Sequence, residues 1–323
     1  MRQCLPCHAL VLSGALMLTS TVQAEQFNWD FYGKLDVQAL YADANLLRYA
    51  DQGWQIEAPF SRLGLKADQA LTDDFKLIAV YEWQVNGLDD SNKGHRLGSR
   101  NTYIGIASNS YGELIFGKND TRFKKSEGKI DLFNETLADM AQLTPGQDRL
   151  ENVVSYQSPK LGLWQWSTTY QTGASDETAG GYDWSLSYGD ATFKQAPYYF
   201  AYARANELNN ISAQRLLAHA LLRESSLGTL SAGLMWQHSE HQTKPLQGDA
   251  WLAAVQLKRD AVAYKLQFMQ DHSRTRHAEK GDSWSVGADY SLKQNLTAYA
   301  LATWLNLQTG HDSAAALGLR WVF

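Results

Sequence analysis

Residues Ala314 to Phe323 read AAALGLRWVF, and their alternation decides the fold. At the two-residue period of a strand, Ala315, Leu317, Leu319, Trp321 and Phe323 share one face, and Ala316, Gly318, Arg320 and Val322 share the other. One face is apolar to its last residue; the other carries a charge. A sandwich strand lying on a soluble core gives the same pattern, so this segment alone leaves sandwich and membrane barrel open. Repetition separates them. About fifteen further segments of similar length and alternation precede it, whereas no stretch after residue 24 offers the roughly 18 apolar residues a spanning helix needs. The pattern predicts an all-β protein, a sixteen-stranded antiparallel transmembrane β-barrel.

The expected strands are 29–42, 61–68, 75–85, 100–108, 111–118, 153–157, 163–171, 182–188, 193–204, 212–223, 230–237, 251–258, 262–270, 284–290, 296–305 and 314–323. In the first, Phe31, Leu35, Val37 and Tyr41 oppose Tyr32, Lys34, Asp36 and Gln38; near the end, Val262, Tyr264, Leu266 and Phe268 oppose Lys265 and Gln267. Around Ala300 either face suits lipid, and Pro197 has to sit at a strand start or a bulge because it cannot donate to a ladder. Short connections such as Asn109-Ser110 and Gly189-Asp190 alternate with longer polar ones at 86–99, 172–181, 239–249 and 271–282, the last two expected as external loops. One connection differs from the rest: Asn119 to Leu150 has no period-two pattern and exceeds an ordinary loop length.

Met1 to Ala24, with Arg2, an apolar run from Ala9 to Leu18 and Val22-Gln23-Ala24 before Glu25, has the features of a secretory signal peptide, which leaves residues 25–323 as one barrel domain. Cys4 and Cys7 both lie in that segment, so the exported part carries no thiol and no disulfide framework. Without Arg2, 28 Lys and Arg stand against 34 Asp and Glu, a net charge of −6. With 11 Trp and 16 Tyr in a chain that is hydrophilic on average, this composition suits a barrel, where only every second strand residue meets lipid and aromatic side chains gather at the interfaces. The absence of basic blocks argues against nucleic acid as a partner.

Several fragments carry a resemblance: Phe31-Tyr32-Gly33-Lys34-Leu35, Ser61 to Lys66 (SRLGLK), Arg100 to Ile106 (RNTYIGI), Tyr111-Gly112-Glu113, Phe116-Gly117-Lys118, Ser155 to Pro159 (SYQSP) and the terminal Phe323. In order and spacing, over essentially the whole exported length, the chain resembles the trimeric, sixteen-stranded general porins of Gram-negative outer membranes. The resemblance implies a homotrimer in contact with outer-membrane lipid and lipopolysaccharide, and a terminal strand ending in Phe323 that the outer-membrane insertion machinery reads. It implies a water-filled channel for small hydrophilic solutes and ions, with no cofactor. It also implies that the third loop, 119–150, folds inward and narrows the channel, with Lys34, Arg62 and Arg100 as a basic wall, Lys118 beside them, and Asp131 and Glu135 as the opposing loop acids. Charges facing one another in a narrow passage act more strongly than on an open surface and set a transverse field. Two positions depart from the family pattern: Asn134 to Ala138 (NETLA) replaces the frequent Pro-Glu-Phe-Gly-Gly tip, and Gln157 stands where many relatives have arginine, with Arg149 and Lys124-Lys125 as neighbouring substitutes.

Other chemistry finds little footing. His238 and His241, with Glu240 between them, read better as a solvated loop than as metal ligands. Ser212 and His219 form no hydrolase motif, there is no G-x-S-x-G, and His219 reads as an inward polar residue in the row Arg215, His219, Arg223. No enzyme is expected. A substrate-specific pore for a sugar or oligosaccharide and a filled structural or adhesive barrel remain as alternatives, with Tyr32 and Tyr199 the plausible lumen aromatics.

Overall fold

The structure, a computed structural model, describes residues 27–85, 97–173 and 180–323. The expected signal peptide, with both cysteines, and parts of the connections 86–99 and 172–181 lie outside the described residues. Among the described residues seventeen strands form one sheet: β1 (Phe27–Ala42), β2 (Gly53–Glu57), β3 (Arg62–Ala70), β4 (Phe75–Val85), β5 (Leu97–Ser108), β6 (Gly112–Asp120), β7 (Arg149–Gln157), β8 (Trp164–Gln171), β9 (Gly181–Gly189), β10 (Tyr198–Leu208), β11 (Ile211–Ser225), β12 (Gly228–His241), β13 (Gln247–Arg259), β14 (Val262–Asp271), β15 (Gly281–Lys293), β16 (Leu296–Leu307) and β17 (His311–Val322). β2 and β3 lie along the same edge of β1, pairing with residues 38–42 and 27–34 respectively, so the two share one place in the wall. The result is a closed antiparallel barrel of sixteen strand positions.

Closure is made by β1 against β17, from Lys34↔Val322 to Ala42↔Ala314. Beyond the last ladder pair, Gly33 N–H donates to Phe323 O at 2.8 Å and Phe323 N–H to Gly33 O at 3.0 Å. Gly33 is required by this approach: a Cβ there would stand 2.5 Å from the Phe323 ring. That ring also meets Phe31 at 6.1 Å and Trp321 at 4.8 Å between centroids, which joins the apolar faces of the two seam strands.

Burial follows the expected alternation. Phe31, Leu35, Val37 and Tyr41 are exposed on the outer face, while Lys34, Asp36, Gln38 and Leu40 are buried inside; in β17, Leu317, Leu319 and Trp321 face out. Around Ala300 the structure resolves the ambiguity: Trp304 is outside, and Tyr299, Leu301, Thr303 and Leu305 are inside and buried. These apolar side chains point inward because the connection between β6 and β7 packs on them. Ile130, Phe133, Leu137, Met140 and Leu143 form one cluster with wall residues including Leu217, Met235, Leu252, Met269, Leu301 and Leu305. The loop therefore lies against the inner wall and supplies the core that a strand pattern alone does not show.

Some boundaries differ from the expected ones. β10 starts at Tyr198, not Phe193, because the Asp190 carboxylate collects N–H groups of Thr192, Lys194 and Gln195 and winds 190–197 into a turn; Pro197 precedes the strand. β12 and β13 continue to His241 and from Gln247, and β15 begins at Gly281, so the connections 242–246 and 272–280 are shorter than expected. There the strands run on with polar residues on both faces, and alternation stops marking them. Between β10 and β11, Asn209 and Asn210 both have positive φ (52° and 61°), the two-residue turn that asparagine tolerates best after glycine.

Removing Phe323 deletes both seam hydrogen bonds and an aromatic contact. The folded, heat-modifiable band from outer-membrane fractions is expected to fall severalfold in the deletion variant; equal yields on cold and boiled gels would show that the seam closes without this residue.

Candidate functional site

Alternation brings Lys34, Arg62 and Arg100 to the inner face from β1, β3 and β5. At Arg100 the ladder shifts register, so that Glu82 of β4 lies across from the residues between Ser99 and Thr102. The three cations meet one loop carboxylate. Glu135 accepts from Lys34 Nζ at 2.5 Å, Arg62 Nη1 at 2.6 Å and Arg100 Nη2 at 3.1 Å. Behind them, Glu82 takes Arg100 Nε at 2.7 Å, lies 3.6 Å from Arg62 Nε and accepts from the Tyr32 hydroxyl at 3.0 Å. On the other side Lys34 is 3.7 Å from Asp36, which also accepts from Arg320 Nε at 2.7 Å and the Tyr299 hydroxyl at 2.7 Å.

Glu135 is thus in contact with the basic wall, where the sequence led us to expect opposed rows across a gap. Burial alone would raise its carboxyl; the charges of Lys34 and Arg62 outweigh that and hold it well below the usual carboxylate range. Its backbone is left-handed, φ 56°, and its N–H is fixed on Asp139 Oδ2 at 2.7 Å. For a residue with a Cβ that conformation costs on the order of 1 kcal/mol, offset here by three charge-assisted contacts. The Asn134 to Ala138 tip thus presents its acid without the paired glycines of the family motif.

Asp131 is placed differently from the expectation. It faces away from the three cations: Oδ1 accepts from Phe133 N at 3.0 Å and from Gln267 Nε2 of β14 at 3.0 Å, and Oδ2 from Met140 N at 2.9 Å. It staples the loop to itself and to the opposite wall. Lys118 sits at the β6 bulge between Gly117 and Asn119 and makes no ion pair among the described residues. The cation that reaches Gln157 is one the sequence reading overlooked. Arg122, in the short helix α1 (Arg122–Lys125), binds Gln157 Oε1 at 2.7 Å and Glu113 at 2.9 Å. Arg149 and Lys124 instead share Asp120 Oδ1, each at 3.0 Å. Glu82 was also overlooked as a site residue; its place in an inward row between two arginine-bearing strands was the available signal. Tyr32 and Tyr199 do face the lumen, Tyr199 donating to Ser126 O at 3.1 Å. Inside the wall Arg215 is buried on Gln237 and on Phe123 O, while His219 packs edge-on against Phe193 at 4.7 Å. Across the paired ends of β12 and β13, His238 Nδ1 meets Asp249 at 2.8 Å.

Three loop acids are buried beneath the tip. Burial, with Asp139 and Glu127 nearby, pushes Asp131 well above the ordinary value; burial raises Asp139; and burial raises Glu127 to about 7. Glu127 accepts from Asn134 Nδ2 at 3.0 Å through Oε1.

The family model described as Gram-negative porin matches residues 9–309. An outer membrane porin protein of Bordetella pertussis is 31% identical over 124 residues, 37% of this chain; the match spans about a third of that relative, 32% of its length. Among solved structures, an anion-selective porin from Comamonas acidovorans superposes with a TM-score of 0.70 at 16% identity, covering 92% of this chain and 100% of that one. OmpF of Salmonella typhi in complex with daunomycin gives 0.67 at 12%, covering 91% and 97%, and OmpT of Vibrio cholerae in its trimer form gives 0.65 at 14%, covering 92% and 99%. At these identities the structural likeness shows the fold.

The Glu127 carboxyl takes up its proton at about 7 when folded, against 4.5 for its ordinary value. A raised acid stabilises the fold fully below the lower value, and that contribution is lost as pH rises through the upper one. Protection of amides 122–148 in hydrogen–deuterium exchange, corrected for intrinsic rates, should therefore fall between pH 5 and 8 in the native protein and change much less in Glu127→Gln. Equal pH slopes in the two proteins would refute the assignment.

Proposed function

We propose, on the premise that this chain belongs to the Gram-negative porin family, that it forms a water-filled channel in the outer membrane for passive diffusion of small hydrophilic solutes and ions. One observation carries the reading: inward charged side chains from β1, β3 and β5 converge on a single carboxylate of a loop packed against the inner wall. A filled structural barrel has no need of charges at its narrowest level, where each costs desolvation. Family and fold are those of a channel, and catalysis has no part in the reading.

The narrowing is assigned to Lys34, Arg62, Arg100, Glu82 and Glu135. Asp131 is a positioning residue for the loop, and Lys118 lies outside the group. The working assembly is a homotrimer, supported by the trimer form of the Vibrio cholerae OmpT to which the barrel is similar. Its outer face would meet neighbouring subunits, lipid and lipopolysaccharide, and its terminal strand would be read by the insertion machinery. Cross-linking in mild detergent that yields only monomer would count against the trimer.

Planar-bilayer recording tests the channel and its selectivity together. Glu135→Gln keeps size and removes the acid that three cations share, so the anion-to-cation permeability ratio from reversal potentials should rise by a factor of roughly two to five. Arg62→Gln with Arg100→Gln should move it the other way. Asp131→Asn, and the exposed pair Glu224→Gln with Asp260→Asn, should do much less, because bulk solvent screens the latter and the former is bonded into the loop. Selectivity indifferent to Glu135 would place the narrowing elsewhere.

A further inference from the structure

On the outside of the barrel one cation stands apart from every network inside it. Arg204 of β10 is exposed on the outer face, two residues beyond Tyr202 toward the loop end, and has no hydrogen bond or ion pair among the described residues. Its ladder neighbours, Trp184 and Gln214, are uncharged. The acids farther round this outward level have partners of their own: Asp249 meets His238, and Asp282 accepts from Asn306 Nδ2 at 3.0 Å. Arg204 is left as an unpaired positive charge on a wall that faces lipid.

Immediately on the membrane side of Arg204 the wall is hollowed. An open apolar hollow of about 640 Å³ runs over the outer face from β8 to β13. Register builds it. Tyr202, Leu216, Trp236 and Trp251 fall in one row across β10, β11, β12 and β13 and form its upper side. In the row below, Ala218 lies between Phe200 and Leu234, and its single methyl leaves the depth that the larger neighbours enclose. Tyr202 and Arg204 share a face two residues apart, which puts the Arg204 backbone about 7 Å above that upper side. A charge and an apolar hollow thus stand one above the other along the membrane normal.

We propose that this face binds one anionic phospholipid of the leaflet on the loop side, with its headgroup phosphate on Arg204 and an acyl chain in the hollow. Lipid tails are as apolar as the wall, so filling the hollow gains van der Waals contact only, and charge has to fix the lipid in place. The guanidinium fork matches two phosphate oxygens, and the pair is stronger where the bilayer surface partly excludes water. A zwitterionic headgroup carries its own ammonium beside the phosphate and so meets Arg204 with less net charge. A neighbouring subunit would have to bring an acid to Arg204 and, separately, apolar side chains to the hollow; a phospholipid joins both in one molecule. The proposal rests on the barrel's place in the outer membrane, not on conduction, and it goes beyond general contact with lipid by assigning one place and one charge.

The test is native mass spectrometry of the folded protein from outer-membrane fractions, equilibrated in detergent with equal amounts of dioleoyl phosphatidic acid, dioleoyl phosphatidylcholine or dioleoylglycerol. Phosphatidic acid should be retained severalfold more than phosphatidylcholine, and dioleoylglycerol least. Arg204→Gln should cut retention of phosphatidic acid about tenfold, as expected for losing a charge-assisted pair. Because Arg204 is exposed and unpartnered, this variant should keep the heat-modifiable band of the native protein. Ala218→Phe, which fills the hollow from the lipid side, should lower retention severalfold with Arg204 still in place. Lys244→Gln, which removes an exposed cation from the connection 242–246, should leave it unchanged. Phosphatidic acid retained no better than phosphatidylcholine, or equally by Arg204→Gln, overturns the proposal, as does an equal loss in Lys244→Gln. Full displacement by inorganic phosphate at the lipid's own concentration, or indifference to Ala218→Phe, would leave the chain without a role and overturns it too. Loss of cross-linked trimer in Arg204→Gln with lipid retention intact would assign the face to a neighbouring subunit instead. Lipid preference in a protein that does not conduct would sink the channel reading and leave the site standing; conductance without lipid preference would do the reverse.

Discussion

Every backbone N–H and C=O in a bilayer has to find a partner within the protein, because lipid offers none. A sheet meets that demand only by closing, and here closure depends on the register of β1 against β17. The seam fixes more than the wall. It sets Lys34 opposite Val322 and Asp36 opposite Arg320, so the same pairing that hides the sheet's edges aligns the inward charges of the first and last strands. β1 then borders β3, which places Arg62 directly across from Lys34. The charged wall is a consequence of closure, since any slip by one residue would turn Lys34 and Asp36 toward lipid.

The loop imposes a second condition. A barrel of this width with only water inside would expose inward apolar residues such as Leu217, Met235, Leu252 and Leu301; the loop's own Ile130, Phe133, Leu137 and Met140 cover them. Apolar packing on one arc of the wall and a salt-bridged tip on the other hold the loop from both ends. Its polar interior is self-bonded: Asp131 and Asp139 accept backbone N–H groups on either side of the tip, and Gln142 donates to Leu137 O. Such a loop can keep a non-glycine residue left-handed at Glu135, because the surrounding contacts over-determine it.

Much of this could be read from the chain. Outward faces were legible because lipid leaves no choice of side chain there, and Lys34 and Arg62 could be placed inward because they fall in the polar row of their strands; their grouping as a basic wall, and Arg100 with them, came from the resemblance. Glu135 was found through a resemblance, not through period. Asp131 looked equivalent to it, four residues earlier, yet points into the loop; a compact irregular segment has no repeat from which side-chain direction can be inferred. The same lack hid Arg122, which a single helical turn capped by Thr121 delivers to Gln157 from the loop instead of from the wall. Around Ala300 the strand pattern was blurred for the opposite reason: two apolar environments, lipid outside and loop inside, ask for the same residues on both faces.

On the proposed channel reading, contact between acid and base changes how the narrow level acts on solutes. Arg320, Asp36, Lys34, Glu135, Arg62, Arg100 and Glu82 form one continuous chain of ion pairs, four cations against three carboxylates. Opposed rows across open water would act along the whole width of the passage. Paired charges cancel at a distance, so their field falls off within a few ångströms, inside the Debye length of about 8 Å at physiological salt. What a solute meets is then a local pattern of donors and acceptors with one surplus positive charge, strong only for groups that touch it. The pairs also limit the cost of keeping so many charges off bulk water, since each buried cation has a carboxylate within hydrogen-bond reach. Removing a carboxylate leaves its cations uncompensated, whereas removing one cation brings the chain to three against three, so the two kinds of substitution shift its charge balance in opposite senses.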